Sequence, residues 1–394
     1  MRNNGLILNS LFFTAIVNTG ILFAQLKPPI AVDLASCERE RVLRAADRYL
    51  QEQPVTITAI PCDRSAGGRH DYYSEADYWW PDPQNPGGPY IQRDGLSNPD
   101  NFTGHRQLVW RLSQQVPALT AAYLITGKEH YARKANEHLH AWFVDSTSRM
   151  NPHLLYAQAI KGRVTGRGIG IIDTIHLVEV AQAVLLLAER GALPDDDLQA
   201  IKNWFQTYLD WLFTHAYGIA ERDNGNNHST CWALQVVAYG RLVNDQPKLS
   251  YCRDFFRTVL IPNQVAVDGS MPRELKRTKP YCYTLFNADV LALVCQILST
   301  PTENLWQFAT PDGRGMARVI ELIMPFIRDK TTWPFPPDVM YFEFWPVRHP
   351  LLLLGGLAYQ KPEYIALWKT LPADPQEAEV IRNFPIRQPL LWIN

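Results

Sequence analysis

Helical patterns separated by short breaker segments fill this chain from about residue 104 onward, and they restrict the possible folds more than any other feature. Apolar residues recur there at helical spacing, whereas the alternating pattern of half-buried strands is scarce. Helices paired through short turns predict an all-α fold, an incomplete (α/α)n toroid or barrel of helical hairpins. The predicted helices cover residues 36–53, 105–126, 128–146, 173–190, 195–216, 230–244, 249–263, 284–298 and 303–328.

The N-terminus has the layout of a secretory signal peptide. A weakly basic start precedes a largely apolar run from Leu6 to Phe23, and Ala24 offers a small residue at a suitable cleavage point. The run is short for a membrane span, although an uncleaved anchor is the alternative. We therefore expect a signal peptide at 1–24 and a single domain at 25–394. The mature chain is expected to be exported, periplasmic or secreted, with no membrane span after signal cleavage.

Composition narrows the functional classes. The chain has 38 Lys and Arg against 39 Asp and Glu, and this balance argues against a nucleic-acid partner, which needs a strongly basic face. No C-x-x-C or H-E-x-x-H motif is present, so the sequence predicts no metal site. Export permits disulfides, and Cys37 and Cys62 form a candidate pair, while the other cysteines are expected to be buried thiols.

Residues 54–103 differ from the rest of the chain, because they are rich in Pro, Gly, Asp and aromatic residues. The stretch YYSEADYWWPDPQNPGGPYIQRDG occupies positions 72–95. Long irregular segments in compact chains are usually functional or disordered, and clustered aromatic residues argue against disorder. We expect an ordered, aromatic-rich loop over a cleft, where Tyr78, Trp79 and Trp80 stack on sugars or form a lid.

Polar residues interrupt the helical pattern at 149–174, which contains Gln158, Arg167 and the sequence GRGIG at 166–170. A dinucleotide-binding loop is a poor interpretation, because no strand precedes it and the glycine spacing does not match G-x-G-x-x-G. A turn that lets the backbone approach a ligand fits better.

A second interruption, ERDNGNNHSTCWALQ at 221–235, places Asn227 and His228 just before an apolar helix, with Ser229 or Thr230 as the expected N-cap. Helix N-termini favour anions, so these side chains are candidates for binding a carboxylate. Plain helix capping is the structural alternative.

A third interruption, at 268–290, brings four cations close to two tyrosines in sequence. A solvated charged face is the ordinary explanation. The alternative is that the cations bind a carboxylate and lower the pKa of a tyrosine. The residues concerned are Arg273, Lys276, Arg277, Lys279, Tyr281 and Tyr283.

Two of these segments resemble the alginate lyase superfamily, typified by polysaccharide lyase family 5. NNHSTCW at 226–232 resembles the signature Asn-Asn-His-Ser-x-Trp, with Cys231 as an extra residue. MPRELKRTKPYCYTLFNAD at 271–289 resembles a family segment that runs Leu-Pro-x-Glu-Leu-x-Arg and then reaches a Tyr. The aromatic-rich loop and the segment at 150–173 look closer to polysaccharide lyase family 38. The resemblance covers most of residues 70–350.

The resemblance implies an all-α toroid with a sugar-binding cleft, an acidic polysaccharide as partner, and metal-independent β-elimination without a cofactor. Carried over residue by residue, Asn227 helps to neutralise the substrate carboxylate and Arg277 contacts it. His228 is the base or a second neutralising group. Tyr283 matches the catalytic tyrosine, with Tyr281 as the alternative. Secondary candidates for the cleft are Gln158, Arg167, His176 and Arg273.

The stereochemistry of the sugar decides between these roles. The C5 proton of a uronate is weakly acidic because it is alpha to a carboxylate, so neutralising that carboxylate stabilises the developing enediolate. In β-D-mannuronate and β-D-glucuronate the C5 proton and O4 lie on the same side, so one Tyr can act as base and then as acid. In guluronate they lie on opposite faces, and His228 and Tyr283 would divide the work.

Two rival functions remain open from the sequence. A glycoside hydrolase on a similar toroid needs two facing carboxylates, and Asp77, Asp173 and Glu274 are available without forming an evident pair. A non-catalytic polysaccharide-binding protein would use the same aromatic residues and cations.

Overall fold

The computed structural model describes residues 30–393, so the predicted signal peptide lies outside the described residues. The helices are α1 Leu34–Tyr49, α2 Gly104–Thr126, α3 Glu129–Phe143, α4 Leu177–Glu189, α5 Asp195–Thr214, α6 Ala216–Arg222, α7 Asn227–Val243, α8 Gln246–Phe255, α9 Ile261–Gln264, α10 Pro272–Leu275, α11 Pro280–Leu298, α12 Met316–Arg328, α13 Pro350–Ala358, α14 Pro362–Thr370 and α15 Ala378–Arg382. The short strands are β1 Tyr73–Glu75, β2 Trp79–Trp80, β3 Ile91–Gln92 and β4 Tyr156–Ala159. β1 pairs with β4 in parallel and β2 with β3 antiparallel.

The helices form two layers. An inner row runs α2, α4, α7, α11 and α13, with each helix packed on the next. Outside it, α1 and α3 pack on α2, α5 and α8 on α7, α12 on α11, and α14 on α13. The inner helices are apolar on several faces and are buried, whereas outer helices such as α12 have one apolar stripe. The predicted all-α toroid of helical hairpins is confirmed.

Helix α11 is the most deeply enclosed of these elements. All of its residues are buried except Gln296 and Ile297. Within residues 30–393 it is also the single unbroken helix that is long and apolar enough to cross a membrane. Its burial inside the toroid accounts for that composition, because core helices meet the same criterion.

Several element boundaries differ from the prediction. Residues 303–315 are not one helix with α12, because Pro311 and the left-handed Gly313 interrupt the backbone before Met316. Helix α7 begins at Asn227, earlier than expected, because Asn226 is its N-cap. The prediction missed α13, α14 and α15 altogether. The candidate disulfide is also wrong, since Cys37 and Cys62 are both free thiols.

Candidate active site

A polar cavity of about 340 Å³ lies where the loop at 54–103 meets the N-terminal ends of α7 and α11 and the C-terminal helix α15. Larger grooves exist on the surface, but this one contains most of the residues singled out from the sequence. Its polar wall is made by Asp77, Tyr78, Trp79, Gln92, Asp94, Gln158, Arg167, Asn224, Asn226, Asn227, His228, Arg277, Tyr283, Arg382 and Asn383.

His228 is held by a buried carboxylate. The N-cap Asn226 accepts a hydrogen bond from the His228 backbone N–H at 3.0 Å, which starts α7. The His228 Nδ1 atom lies 2.7 Å from Oε1 of Glu221, whose side chain is fully buried. Burial raises the pKa of Glu221, although His228 opposes this. The contact occupies Nδ1 and leaves Nε2 as the imidazole nitrogen available for proton transfer.

Asn227 is fixed through a second buried carboxylate. Its backbone N–H and its Nδ2 each donate to Glu274, both at 2.7 Å. Burial raises the pKa of Glu274, and the hydrogen bonds from Asn227 oppose that shift. The amide is therefore locked in one orientation at the N-terminus of α7, where the helix dipole favours negative charge.

Tyr283 lies in the first turn of α11 with polar groups around its hydroxyl. The Tyr78 hydroxyl is 2.6 Å away, and Arg277 Nη2 donates at 3.4 Å. The Arg277 guanidinium also stands 4.4 Å from the centre of the Tyr283 ring. Burial nevertheless raises the pKa of Tyr283 well above its ordinary value, despite the opposing charges of Lys279 and Arg277. Lys279 and Arg277 thus lower this pKa, as the alternative interpretation of these cations supposes, but desolvation outweighs them and the net shift is upward.

Two of the three cavity arginines, Arg277 and Arg167, are held by different partners. Arg277 is paired with Asp94, with Nη2 and Oδ1 2.9 Å apart. Burial opposes ionisation of Asp94, but its hydrogen bond with Arg277 lowers its pKa overall. Arg167 instead donates to the Gln158 backbone carbonyl and to its Oε1, both at 3.1 Å. No carboxylate of residues 30–393 lies within ion-pair distance of Arg167. Burial lowers its pKa to about 10, so it stays protonated at neutral pH.

Comparisons with known proteins agree with this geometry. The family model described as alginate lyase matches residues 57–333. The chain belongs to the alginate lyase family. This membership confirms the predicted enzyme class, a polysaccharide lyase of uronate polymers. No curated protein matches the chain.

Solved structures of alginate lyases share the fold. An alginate lyase from Bacteroides ovatus is 29% identical, with a TM-score of 0.79, over 91% of this chain and 93% of that one. Alginate lyase A1-III from Sphingomonas species A1 is 14% identical, with a TM-score of 0.54, over 90% and 94%. A variant of A1-III complexed with a tetrasaccharide is 15% identical, with a TM-score of 0.56, over 93% and 98%.

Four residues predicted for the cleft of this lyase do not line its cavity. Tyr281 is buried, donates its hydroxyl to the Phe326 carbonyl at 3.0 Å and packs edge-on against Trp333. His176 is buried with Nε2 3.1 Å from the Arg382 carbonyl. Tyr281 is two residues from Tyr283 and so lies on a different face of α11, which directs its ring into the core.

The other two lie outside the cavity wall. Trp80 donates through Nε1 to the Leu96 carbonyl at 2.9 Å, whereas its neighbour Trp79 reaches the cavity, as side chains alternate along a strand. Arg273 is exposed and donates to the Asn224 carbonyl, in a separate groove.

The glycine-rich turn packs against protein rather than ligand. A Cβ at Gly166 would stand 1.9 Å from the Leu155 carbonyl oxygen, and one at Gly168 would stand 2.7 Å from the Tyr217 carbonyl oxygen. Glycine is required here because two backbones meet. The turn still serves the site, because it presents Arg167.

Sequence reasoning missed several groups that shape the site. Glu221, Asp94, Arg382 and Asn383 were not singled out, and Lys279 was noted as one cation among four. Glu221 precedes the Asn-Asn-His motif by one short turn, so a search for a carboxylate beside His228 could have found it. Arg382 and Asn383 lie beyond the family match and had no local signal.

Proposed function

We propose that this lyase cleaves chains of β-D-mannuronate or β-D-glucuronate by syn elimination, with Tyr283 as the base at C5 and then the acid at O4. The observation that supports this is the convergence of hydrogen-bond donors on the Tyr283 hydroxyl, from Tyr78 at 2.6 Å and Arg277 at 3.4 Å. Such donors stabilise a phenolate during proton transfer. The Tyr283 phenolate removes the C5 proton, and the phenol so formed donates that proton to O4 as the C4–O4 bond breaks and the C4–C5 double bond forms.

Carboxylate neutralisation is assigned to groups around the N-terminus of α7. Asn227 is held by Glu274, and His228 by Glu221. Arg167 contributes a charge that forms no ion pair within residues 30–393, which suits it to a uronate carboxylate. Each well-placed donor is worth a few kcal/mol of stabilisation for the enediolate.

A second assignment is supported by a specific contact. The Glu221–His228 pair leaves Nε2 able to accept a proton, and burial keeps the Tyr283 phenol protonated. His228 would then be the base and Tyr283 the acid, an arrangement suited to the opposite faces of guluronate.

Hydrolysis lacks comparable support in this cavity. Asp77 lies on the wall, but it is paired with Arg106 and Arg382 at 2.7 and 2.9 Å. Burial opposes ionisation, yet these charges lower the pKa of Asp77 to about 2. A carboxyl group that stays ionised cannot serve as the general acid that hydrolysis requires.

Export follows from the N-terminal pattern alone. We propose that residues 1–24 direct the enzyme out of the cytoplasm to the periplasm or the medium, where acidic polymers are accessible.

Ultraviolet absorbance tests the reaction and the substrate together. The purified enzyme is mixed with polymannuronate, polyguluronate and glucuronan, each with a chelator present. Rising absorbance on polymannuronate or glucuronan, from a new C4–C5 double bond, is the expected result. A rise on polyguluronate alone would favour His228 as base. New reducing ends without absorbance, or no change on any polymer, would contradict the proposal.

A further inference from the structure

A buried ammonium group lies directly behind the two cavity phenols. Lys279 is the residue before α11 and is fully buried, outside the cavity wall. Its Nζ stands 5.0 Å from the Tyr78 ring centre, 5.7 Å from the Tyr283 ring centre and 5.6 Å from the Tyr341 ring centre. A substrate in the cavity would meet the phenols rather than this charge.

Stability alone does not explain a lysine at this position. Lys279 is paired with Glu379 of α15, which is also buried. Because desolvation offsets the attraction, buried ion pairs are often no more stabilising than apolar residues of the same volume. Because the Lys279–Glu379 pair packs against two phenols that line a reaction cavity, an effect on those phenols explains it better.

The carboxylates near the two phenols are already paired, so the positive charge of Lys279 is not cancelled at the phenols. Arg277 approaches Tyr283 from the cavity side, and Arg382 stands 5.9 Å from the Tyr78 ring centre. The carboxylates of this neighbourhood are paired or capping: Asp94 with Arg277, Asp77 with Arg106 and Arg382, Glu379 with Lys279 and Arg382, and Asp338 with the first N–H groups of α11. Cys282, the remaining titratable neighbour of Lys279, is a buried thiol.

We propose that Lys279 is a positioning residue whose buried charge stabilises the phenolate that Tyr283 forms during proton transfer, with Tyr78 as the bridging donor. This rests on the proposed role of Tyr283, and it holds whether Tyr283 is base and acid or acid alone, because both roles pass through the phenolate. Burial opposes protonation of Lys279, but Glu379 raises its pKa well above the ordinary value, so the charge persists. Lys279 also lowers the pKa of Tyr283 more than Glu379 raises it.

The test removes the charge without leaving its partner unpaired. In Lys279→Met/Glu379→Gln, we expect kcat to fall about tenfold with KM unchanged, and the pH limb set by Tyr283 to move up by about one unit. Lys279→Arg keeps the positive charge and should therefore keep the pH–rate profile of the parent. The ionisation of Tyr283, taken as the difference in ultraviolet titration between each protein and its Tyr283→Phe version, should move in the same direction. Unchanged profiles and titrations would overturn the proposal.

A single substitution keeps the test decisive if the double variant does not fold. Lys279→Met removes the ammonium while Glu379 keeps its contact with Arg382, so the Tyr283 limb should move to higher pH, and an unmoved limb would overturn the proposal. Tyr283→Phe separates the two ideas. Full activity in that variant would refute the proposed function, whereas an inactive Tyr283→Phe beside a charge-free variant with the parent profile would refute only the role of Lys279.

Discussion

The hydroxyl groups of Tyr78 and Tyr283 are 2.6 Å apart, although one lies before β2 and the other in the first turn of α11. Their contact joins the aromatic-rich loop to the helical toroid at the point where proton transfer is proposed. Loss of the Tyr78 hydroxyl should therefore weaken catalysis less than loss of the Tyr283 hydroxyl, because Tyr78 only supports the reacting oxygen.

Tyr283→Phe should lower kcat by roughly 100- to 10,000-fold, because it removes the proposed base and acid but keeps the ring. Initial rates of double-bond absorbance measure this. The matched control is Tyr281→Phe, whose hydroxyl donates to the Phe326 carbonyl in the core. That control should lose about 1 kcal/mol of stability and keep its activity. Equal activity losses in both variants would contradict the assignment.

Arg167→Met should raise KM by about tenfold or more, because it removes a charge available to the substrate carboxylate. Its free energy of unfolding should stay the same or rise, since a half-buried cation without a carboxylate partner among residues 30–393 is lost. Steady-state kinetics and urea unfolding test both parts. Arg163→Met is the control, because Arg163 is exposed beside Trp79 but does not line the cavity. A destabilised Arg167→Met with unchanged KM would show a structural role instead.

Glu221→Gln should lower kcat by about tenfold or more while leaving the fold as stable as before, or more stable, at neutral pH. The sign follows from burial, which raises the pKa of Glu221. Folding then disfavours the ionised form of Glu221. The stability that Glu221 contributes is therefore lost as the pH rises above its pKa in the unfolded chain. Steady-state kinetics measure the change in kcat, and urea unfolding at neutral pH measures the change in stability.

Glu179→Gln is the comparison for this variant. Glu179 is another buried carboxyl, whose pKa burial raises to about 7, and it accepts from the backbone N–H groups of Arg387 and Gln388. By the same sign argument that variant should keep or gain stability at neutral pH, and it should also keep kcat. A loss of kcat as large as that of Glu221→Gln would refute the role given to Glu221.

Asp77→Asn should lower the free energy of unfolding at neutral pH by about 2 kcal/mol, because the pKa of Asp77 falls from 3.8 to about 2 in the folded chain. Burial opposes this shift, and the charges of Arg106 and Arg382 outweigh it. The parent has this stability at any pH above the Asp77 pKa of the unfolded chain. It loses the stability as the pH falls toward the lower Asp77 pKa of the folded chain. Urea unfolding across that window should show the two proteins converging.

The exposed Asp63 provides the control for the acid experiment. Asp63→Asn should track the parent at every pH. A constant difference between Asp77→Asn and the parent down to the lowest pH would mean that its ion pairs with Arg106 and Arg382 add no net stability.

The sequence was enough to predict the helical toroid and to mark four segments that contribute to the cavity, at 54–103, 149–174, 221–235 and 268–290. The apolar periodicity of α2, α4 and α11 depends only on residues in adjacent helical turns. The Asn-Asn-His segment can likewise be recognised from a few consecutive residues. Boundaries were less accurate where a cap or a break decided them, as at Asn226 for α7 and Pro311 before α12. The short C-terminal helices lacked the length that makes a periodic pattern visible.

Tertiary packing alone decided which of the noticed side chains share a cavity. Tyr281 and Tyr283 are two residues apart and about equally suited by sequence, yet one is packed against Trp333 and the other faces Tyr78. Lys279 and Glu379 meet across 100 positions of chain. Helical spacing is a property of neighbours along the backbone, whereas the charge and desolvation that set the chemistry of Tyr283 come from segments brought together only when the toroid forms.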